Sequence, residues 1–252
     1  MTNYAKTLAC PRHLTGLCDE YRPNNLKQHQ ISRQKYPECM ESCVPYIIFK
    51  DLIRNSDSDC IKLAVQKLKP QKEDLQTFQR IKEIKSNIEE FVRKGNNLFI
   101  TSPHMQCAKS TILFKFLYGY FWQMSCWAPP DEGRGKYVNV PEFAMDIDVY
   151  SVRNSDEFRK KIDILKRIDL VVWDDITLYT LNDTAKNIMG SIINSRFRNE
   201  KANVFAGLEI NNPQTVLGNI IYQQLQTCEH LRITKMYKPN KQKIETKENG
   251  EF

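Results

Sequence analysis

Along residues 71–94 the apolar positions Leu75, Phe78, Ile81, Ile84, Ile88 and Phe91 recur at three- and four-residue steps. That spacing predicts one amphipathic helix with a single face toward a core, ended by Gly95. Leu98–Thr101 then reads as a short buried strand, and after a tight loop Ile112, Leu113, Phe116, Leu117, Tyr120 and Phe121 form a second helical stripe. The alternation continues downstream. Lys136–Val140 predicts a strand, with Pro141 well placed as the first residue of a helix. Asn154-Ser-Asp-Glu157 resembles a capping box and opens a helix to about Arg167. Leu170–Trp173 predicts a wholly apolar strand, 182–198 a long helix, and Asn203–Leu208 another strand. Asn212-Pro213 starts a helix to about Thr227, and Leu231–Tyr237 alternates as a last strand. Strands alternating with helices predict an α/β fold on a largely parallel sheet. A nucleotide would bind at the C-terminal ends of its strands.

Residues 1 to about 45 have a different texture, polar and without helical periodicity. They carry Cys10, His13, Cys18, Cys39 and Cys43, including a Cys-x2-His pair and a Cys-x3-Cys pair. Four such ligands in a short segment lacking a core could close a structural zinc site. The spacing matches no common zinc module, and the alternative is a loose arm with ordinary thiols. Val44–Ile53 reads as a helix or a short apolar dock.

Composition narrows the classes. The chain has 252 residues, 41% of them hydrophobic and 27% charged, which suits a globular chain of one large domain or of a domain plus a small appendage. No apolar run approaches the roughly 18–20 residues of a membrane span, and the polar start Met-Thr-Asn-Tyr-Ala-Lys carries no secretory pattern. A cytoplasmic protein without membrane contact is expected, its eight cysteines serving as free thiols or metal ligands. Net charge is +7, with Lys235, Lys238, Lys241, Lys243 and Lys247 in the polar C-terminal stretch. That balance permits contact with nucleic acid and equally fits a solvated tail.

Chemistry concentrates in two segments. Asn97–Thr111 reads as strand, loop, then Lys109-Ser110 opening a helix; Asp169–Asp175 reads as a strand ending in two carboxylates, with Asp174 65 positions after Lys109. A phosphate loop has the form G-x-x-x-x-G-K-[ST], whose glycines let backbone N–H groups close around phosphate. Here Pro103 and Ala108 stand at the glycine positions, while Lys109 and Ser110 remain. Lys109 could reach the β- and γ-phosphates of ATP, Ser110 could ligate Mg²⁺, and the helix N-terminus favours an anion. If position 108 needs positive φ, alanine costs about 1–2 kcal/mol there, which would weaken binding roughly tenfold. The expected nucleotide contacts are Ser102, Pro103, Gln106, Cys107, Ala108, Lys109, Ser110 and Thr111. Asp174 would hold Mg²⁺ with Ser110, and Asp175 would orient or deprotonate the attacking water.

Four blocks carry a resemblance: Ser102–Ser110, Arg134–Phe143, Asp169–Ile176, and Arg196-x6-Asn203-Val-Phe-Ala-Gly207. Together they resemble the DnaC/DnaI-type replicative helicase loaders, most of all the phage and prophage type of Gram-positive bacteria. Cys39-x3-Cys43-Val-Pro-Tyr and the helix ending at Gly95 fit the family's N-terminal half. The resemblance spans roughly residues 37–220. It implies an AAA+ ATPase core that docks on a hexameric replicative helicase and helps place it on single-stranded DNA, with self-association also open. In that family a Ser-Pro start to the phosphate loop occurs, which makes Pro103 less aberrant. Residues 1–70 would be the helicase-docking region, 71–238 the ATP-binding domain, and 239–252 a basic polar tail.

Two departures from the family pattern bear on catalysis. The strand end expected to present a γ-phosphate-sensing asparagine reads Gly207-Leu208-Glu209. The arginines expected after Leu217-Gly218-Asn219 are replaced by Ile220-Ile-Tyr-Gln-Gln224, and Arg196 and Arg198 sit elsewhere. Weak hydrolysis or none is therefore expected, with a non-hydrolysing adaptor as the alternative. Trp122, Trp127 and Tyr137 could stack on bases, although packing is the plainer role for each.

Overall fold

The computed structural model describes residues 68–124, 134–153 and 156–237. The cysteine- and histidine-bearing segment, Val44–Ile53, Trp127, the Trp122 side chain and the tail beyond Tyr237 lie outside what it describes.

The first helical stretch is two helices. A turn of 3-10 helix at Lys72–Asp74 leads into α1 (Leu75–Ser86), followed by α2 (Ile88–Arg93). Asn87 interrupts them: its backbone N–H donates to the Glu83 and Ile84 carbonyls, and its side-chain amide donates to the Glu83 carbonyl at 3.2 Å. A short polar side chain bonding its own preceding turn competes with helix propagation. The apolar steps run through the break because both helices face the same core. Gly95 then turns the chain with φ of +63°, and a Cβ on it would lie 2.3 Å from the Glu200 carbonyl oxygen, so only glycine fits.

The remaining elements are β1 (Asn97–Ser102), α3 (Lys109–Met124), β2 (Gly135–Asn139), α4 (Val140–Arg153), α5 (Asp156–Arg167), β3 (Leu170–Asp174), α6 (Asp183–Arg198), β4 (Ala202–Leu208), α7 (Pro213–Leu217), α8 (Asn219–Gln226) and β5 (Glu229–Arg232). Asn182 caps α6, its side-chain oxygen accepting the Ala185 N–H at 2.8 Å. The single helix expected after Pro213 is divided at Gly218, whose φ of +82° no helix can continue through. The last strand ends at Arg232 and not at Tyr237, because the N–H groups of Thr234 and Lys235 leave the sheet to donate to Asp74.

All strand pairs are parallel, in the order β2-β3-β4-β1-β5. The alternation along each strand divides the core in two. Leu98, Ile100, Val172, Val204 and Ala206 face α1, α2 and α3; Phe99, Val171, Trp173 and Phe205 face α4–α8. Both faces are covered, which is why β3 reads as a continuous apolar run.

The N-terminal ends of β3 and β4 are fastened by one side chain. Arg196 is fully buried. It donates to the carbonyls of Leu165 (2.6 Å), Ile168 (2.9 Å) and Ala202 (2.6 Å), and to the side-chain oxygen of Asn203 (2.6 Å). Asn203 in turn accepts from the Trp173 indole at 3.1 Å and donates to Asn97 at 2.7 Å. Burial pushes the Arg196 pKa down to about 9, the Asp169 carboxylate opposing. The spacing of Arg196 and Asn203 is therefore a structural pairing at the strands' N-terminal ends. Arg196→Met would take this donor from the Leu165, Ile168 and Ala202 carbonyls and leave the Asn203 side-chain oxygen with the Trp173 indole alone. We expect a loss of about 3–5 kcal/mol, seen as a melting point lowered by roughly 6–15 °C.

Candidate phosphate-binding site

β1 carries the chain to Ser102 at the C-terminal edge of the sheet, and residues 103–108 turn it into α3, which starts at Lys109. Lys109 is 3% exposed. Its ammonium donates to the Ser102 hydroxyl at 2.7 Å and to the His104 carbonyl at 3.1 Å, while Ser102 itself donates to that carbonyl at 2.7 Å. The loop is thus drawn around the lysine head. Burial lowers the Lys109 pKa, and the nearby Asp174 and Asp175 carboxylates pull the other way.

Ala108 has a φ of +59°. Position 108 therefore adopts the left-handed conformation for which phosphate loops use glycine. The loop's own contacts hold this shape: the Lys109 bonds just given, and the Tyr237 N–H, which donates to the Gln106 carbonyl at 2.8 Å. The positive φ on which the strain at position 108 depended is present, and the alanine carries that strain in the loop itself.

Asp174 ends β3 and is 1% exposed. Its Oδ2 accepts the Tyr137 hydroxyl at 2.8 Å, its Oδ1 accepts the Asp175 N–H at 3.0 Å, and the Ser110 hydroxyl also bonds this carboxylate. Burial raises its pKa, reinforced by the like charge of Asp175; the three hydrogen bonds oppose that rise. Asp175 has a φ of +56°, a bend after which the Ile176 N–H returns to the Ala206 carbonyl at 3.0 Å. Its pKa is raised by burial and drawn down by the charge of Lys109. Non-glycine residues in this backbone region cluster at functional sites.

The donor set fits Mg²⁺ and a nucleotide phosphate. The Ser110 hydroxyl is near enough to the Asp174 carboxylate to lower its pKa, so a hydroxyl and a carboxylate, oxygen ligands of the kind Mg²⁺ takes, stand as neighbours. A buried ammonium lies beside them at the N-terminus of the 16-residue α3. The expected loop residues differ in what they present. Pro103 and Gln106 are exposed on the loop, Ser102 is turned inward onto Lys109, and the Cys107 side chain is fully buried in the core, leaving only its main chain to a ligand. Thr111 is buried on the first turn of α3.

At the end of β4, the Thr177 hydroxyl donates to the Leu208 carbonyl at 2.8 Å and accepts its N–H at 2.6 Å. Glu209 follows, its N–H on the Ser102 carbonyl and its carboxylate gripped by Arg232 through two bonds of 2.6 and 2.9 Å. A cavity of about 570 Å³ lies on the other face, lined by apolar residues such as Phe99, Leu217, Tyr222 and Leu225, and is separate from the phosphate loop. Among the described residues no group of three or more histidine, cysteine, aspartate or glutamate side chains is placed to hold a metal ion, and no helix is long and apolar enough to cross a membrane. The five residues considered for zinc lie outside the described residues.

No protein-family model matches this chain, and no curated protein matches it. Solved structures do. A crystal structure of DnaI aligns with a TM-score of 0.52 and 15% identity, over 73% of this chain and 94% of that one. The replication initiator DnaA bound to AMPPCP and single-stranded DNA aligns at 0.51 and 15%, over 64% of this chain and 46% of that chain, under half its length. Domain III of the Thermotoga maritima replication initiation protein DnaA aligns at 0.50 and 17%, over 66% and 68%. The fold is shared with DnaI and DnaA. That fold is the expected α/β arrangement, a five-stranded parallel sheet flanked by helices. At such identities the likeness is one of fold.

Two features of the site escaped sequence reasoning. Tyr137 was weighed only as a base-stacking or packing aromatic, yet it bonds Asp174 and stacks on Phe114 with ring centroids 4.4 Å apart. The other is the strap 233–237. Asp74 is 1% exposed. It accepts the Thr234 N–H and hydroxyl at 2.9 and 2.7 Å, the Lys235 N–H at 3.0 Å and the Tyr237 hydroxyl at 2.8 Å. An acid at the start of a helix gave no sign of partners some 160 residues away.

Two predictions follow from this geometry. Relieving the left-handed alanine gains about 1–2 kcal/mol, offset by about 0.4–1 kcal/mol of added freedom in the unfolded chain. Ala108→Gly should therefore raise the melting point by a few degrees. At Asp74, burial alone would raise the pKa, but the bonds from Thr234, Tyr237 and Lys235 outweigh it and the net shift is downward. A carboxylate with a depressed folded pKa adds stability above its unfolded value of about 4. That stability is lost as pH falls through the folded value. Asp74→Asn should cost about 2–3 kcal/mol at pH 7 and give a flatter stability curve below pH ~4, both readable by thermal melts across pH.

Proposed function

We propose that this chain is a DNA replication protein of the helicase-loader type that binds ATP with Mg²⁺. The carrying observation is the convergence of Lys109 and Ser110, from the start of α3, with Asp174 and Asp175 from the end of β3. The fold shared with DnaI and DnaA supports the reading, as does the resemblance of its motif blocks to helicase loaders. Lys109 would contact the β- and γ-phosphates, Ser110 and Asp174 would hold Mg²⁺, and the loop amides would face the phosphates. When bound, the metal supplies charge neutralisation for phosphoryl transfer. Asp175 would orient the attacking water or take its proton. In this proposal residues 1–70 dock on a hexameric replicative helicase, residues 71–238 bind ATP, and the loader helps place that ring on single-stranded DNA. Residues 239–252 are the basic tail, Cys10, His13, Cys18, Cys39 and Cys43 are the candidates for zinc, and the cytoplasm is the compartment.

A second reading is favoured by a specific observation. At the end of β4 the polar side chain is Glu209, a carboxylate already clasped by Arg232, and Arg196 is committed to the far end of the sheet. An acid there repels a γ-phosphate instead of sensing it. The same fold would then serve as a non-hydrolysing adaptor on the helicase or replisome.

Calorimetry of Mg-ATP binding separates the two readings. We expect micromolar affinity, weakened at least about 30-fold by Lys109→Ala, the equivalent of about 2 kcal/mol for a lost charged hydrogen bond. Nucleotide at 100 times Kd should also stabilise the fold by about 2.7 kcal/mol. Absence of binding up to millimolar nucleotide would defeat the ATP switch and leave the adaptor.

A further inference from the structure

We propose that Tyr137 is a positioning residue for the metal-binding carboxylate, its hydroxyl fixing Asp174 for the Mg²⁺ that accompanies nucleotide. The inference rests on the Mg-nucleotide reading of the site and goes beyond it by assigning a residue of β2 to that site.

Tyr137 sits next to Asp174 because β2 pairs in parallel with β3, Tyr137 standing opposite Val172 and Asn139 opposite Asp174. Its ring stacks on Phe114 of α3 at 4.4 Å and 26°. Phenylalanine would make that stack equally well. The hydroxyl is what packing does not call for, and it ends on Asp174 Oδ2 at 2.8 Å. The other oxygen takes the Asp175 N–H at 3.0 Å. The carboxylate is therefore held on one oxygen by a main-chain donor and on the other by Tyr137, with Ser110 reaching it from α3. A buried carboxylate with donors fixed on both oxygens cannot rotate without losing one of them. A metal that demands near-ideal octahedral geometry gains most from such a fixed ligand. Donors that orient ligating carboxylates commonly contribute 10–100-fold in metal affinity or activity. The phenol also cannot act as a stacking platform for a nucleobase while its ring is packed on Phe114 and its hydroxyl is committed inward.

The test is Tyr137→Phe. Nucleotide binding is measured by calorimetry in EDTA and across a Mg²⁺ titration, alongside apo thermal melts. The variant should need roughly 10–100 times more Mg²⁺ for half-maximal enhancement of ATP binding. Its affinity in EDTA should match the wild type, and its melting point should move by no more than about 4 °C. In an Asp174→Asn background the same substitution should add nothing, since its effect passes through that carboxylate. An unchanged Mg²⁺ requirement overturns the proposal, as does a loss of affinity of equal size in EDTA or one that persists beside Asp174→Asn, for these mark general packing. If the wild type itself shows no Mg²⁺-dependent nucleotide binding, the site reading fails and takes this inference with it. If the wild type binds and Tyr137→Phe behaves identically, only the inference fails.

Discussion

A positive and a negative charge must be kept in a water-poor space at the C-terminal edge of the sheet, and much of the upper half of the structure answers to that requirement. Lys109 and Asp174 are 3% and 1% exposed. Neither could stay charged there unaided, because desolvation disfavours the ionised form of each. Lys109 is therefore wrapped by the Ser102 hydroxyl and the His104 carbonyl, and Asp174 by three donors. These contacts dictate the path of the loop. To bring the His104 carbonyl back over the lysine within the short span 103–108, the chain accepts a left-handed alanine. To keep the second carboxylate near the first without continuing the strand, it bends at Asp175, also left-handed. Aspartate tolerates that region better than alanine does, so the strain is concentrated at Ala108.

The two ends of the sheet divide the work. At the N-terminal ends of the strands Arg196 and Asn203 form a closed network with main-chain carbonyls, Trp173 and Asn97. Such a network contributes rigidity and offers a ligand nothing, because its donors are used up. At the C-terminal ends the polar groups also bond one another, but through a loop with two strained residues near it and a strap pinned from outside. Asp74 ties 233–237 to the start of α1, and Tyr237 of that strap ties itself to Gln106 in the phosphate loop. A change of loop shape is thereby linked to the segment that precedes α1.

The sequence made the sheet visible because burial on both faces leaves an unmistakable mark: 98–100, 170–173 and 204–208 are runs without a polar side chain. It made Lys109, Ser110, Asp174 and Asp175 visible because they lie at fixed offsets from those runs. Three things were not legible, each for a physical reason. Periodicity cannot register Asn87, since a helix that breaks and resumes on the same face keeps its apolar steps. It carried the last strand through Tyr237, because alternation persists in 233–237 although Asp74 has captured the N–H groups a ladder needs. And it left Tyr137 as a packing aromatic, since a hydrogen bond across parallel strands joins residues 37 positions apart with no trace in local pattern.

Position 209 weighs most in choosing between an ATP switch and an adaptor. A group that senses a γ-phosphate has to donate a hydrogen bond or carry positive charge. Glu209 does neither, and its pairing with Arg232 lowers its pKa, so it stays ionised at neutral pH. Yet the pair is exposed, where an ion pair is worth little because water competes and salt screens. Arg232 is therefore held by a weak partner at the C-terminal edge of the sheet, on the strand beside β1. The geometry that argues against a conventional sensor at the end of β4 thus leaves a cation within the same chain. The loss of an asparagine at this position does not by itself decide for the adaptor.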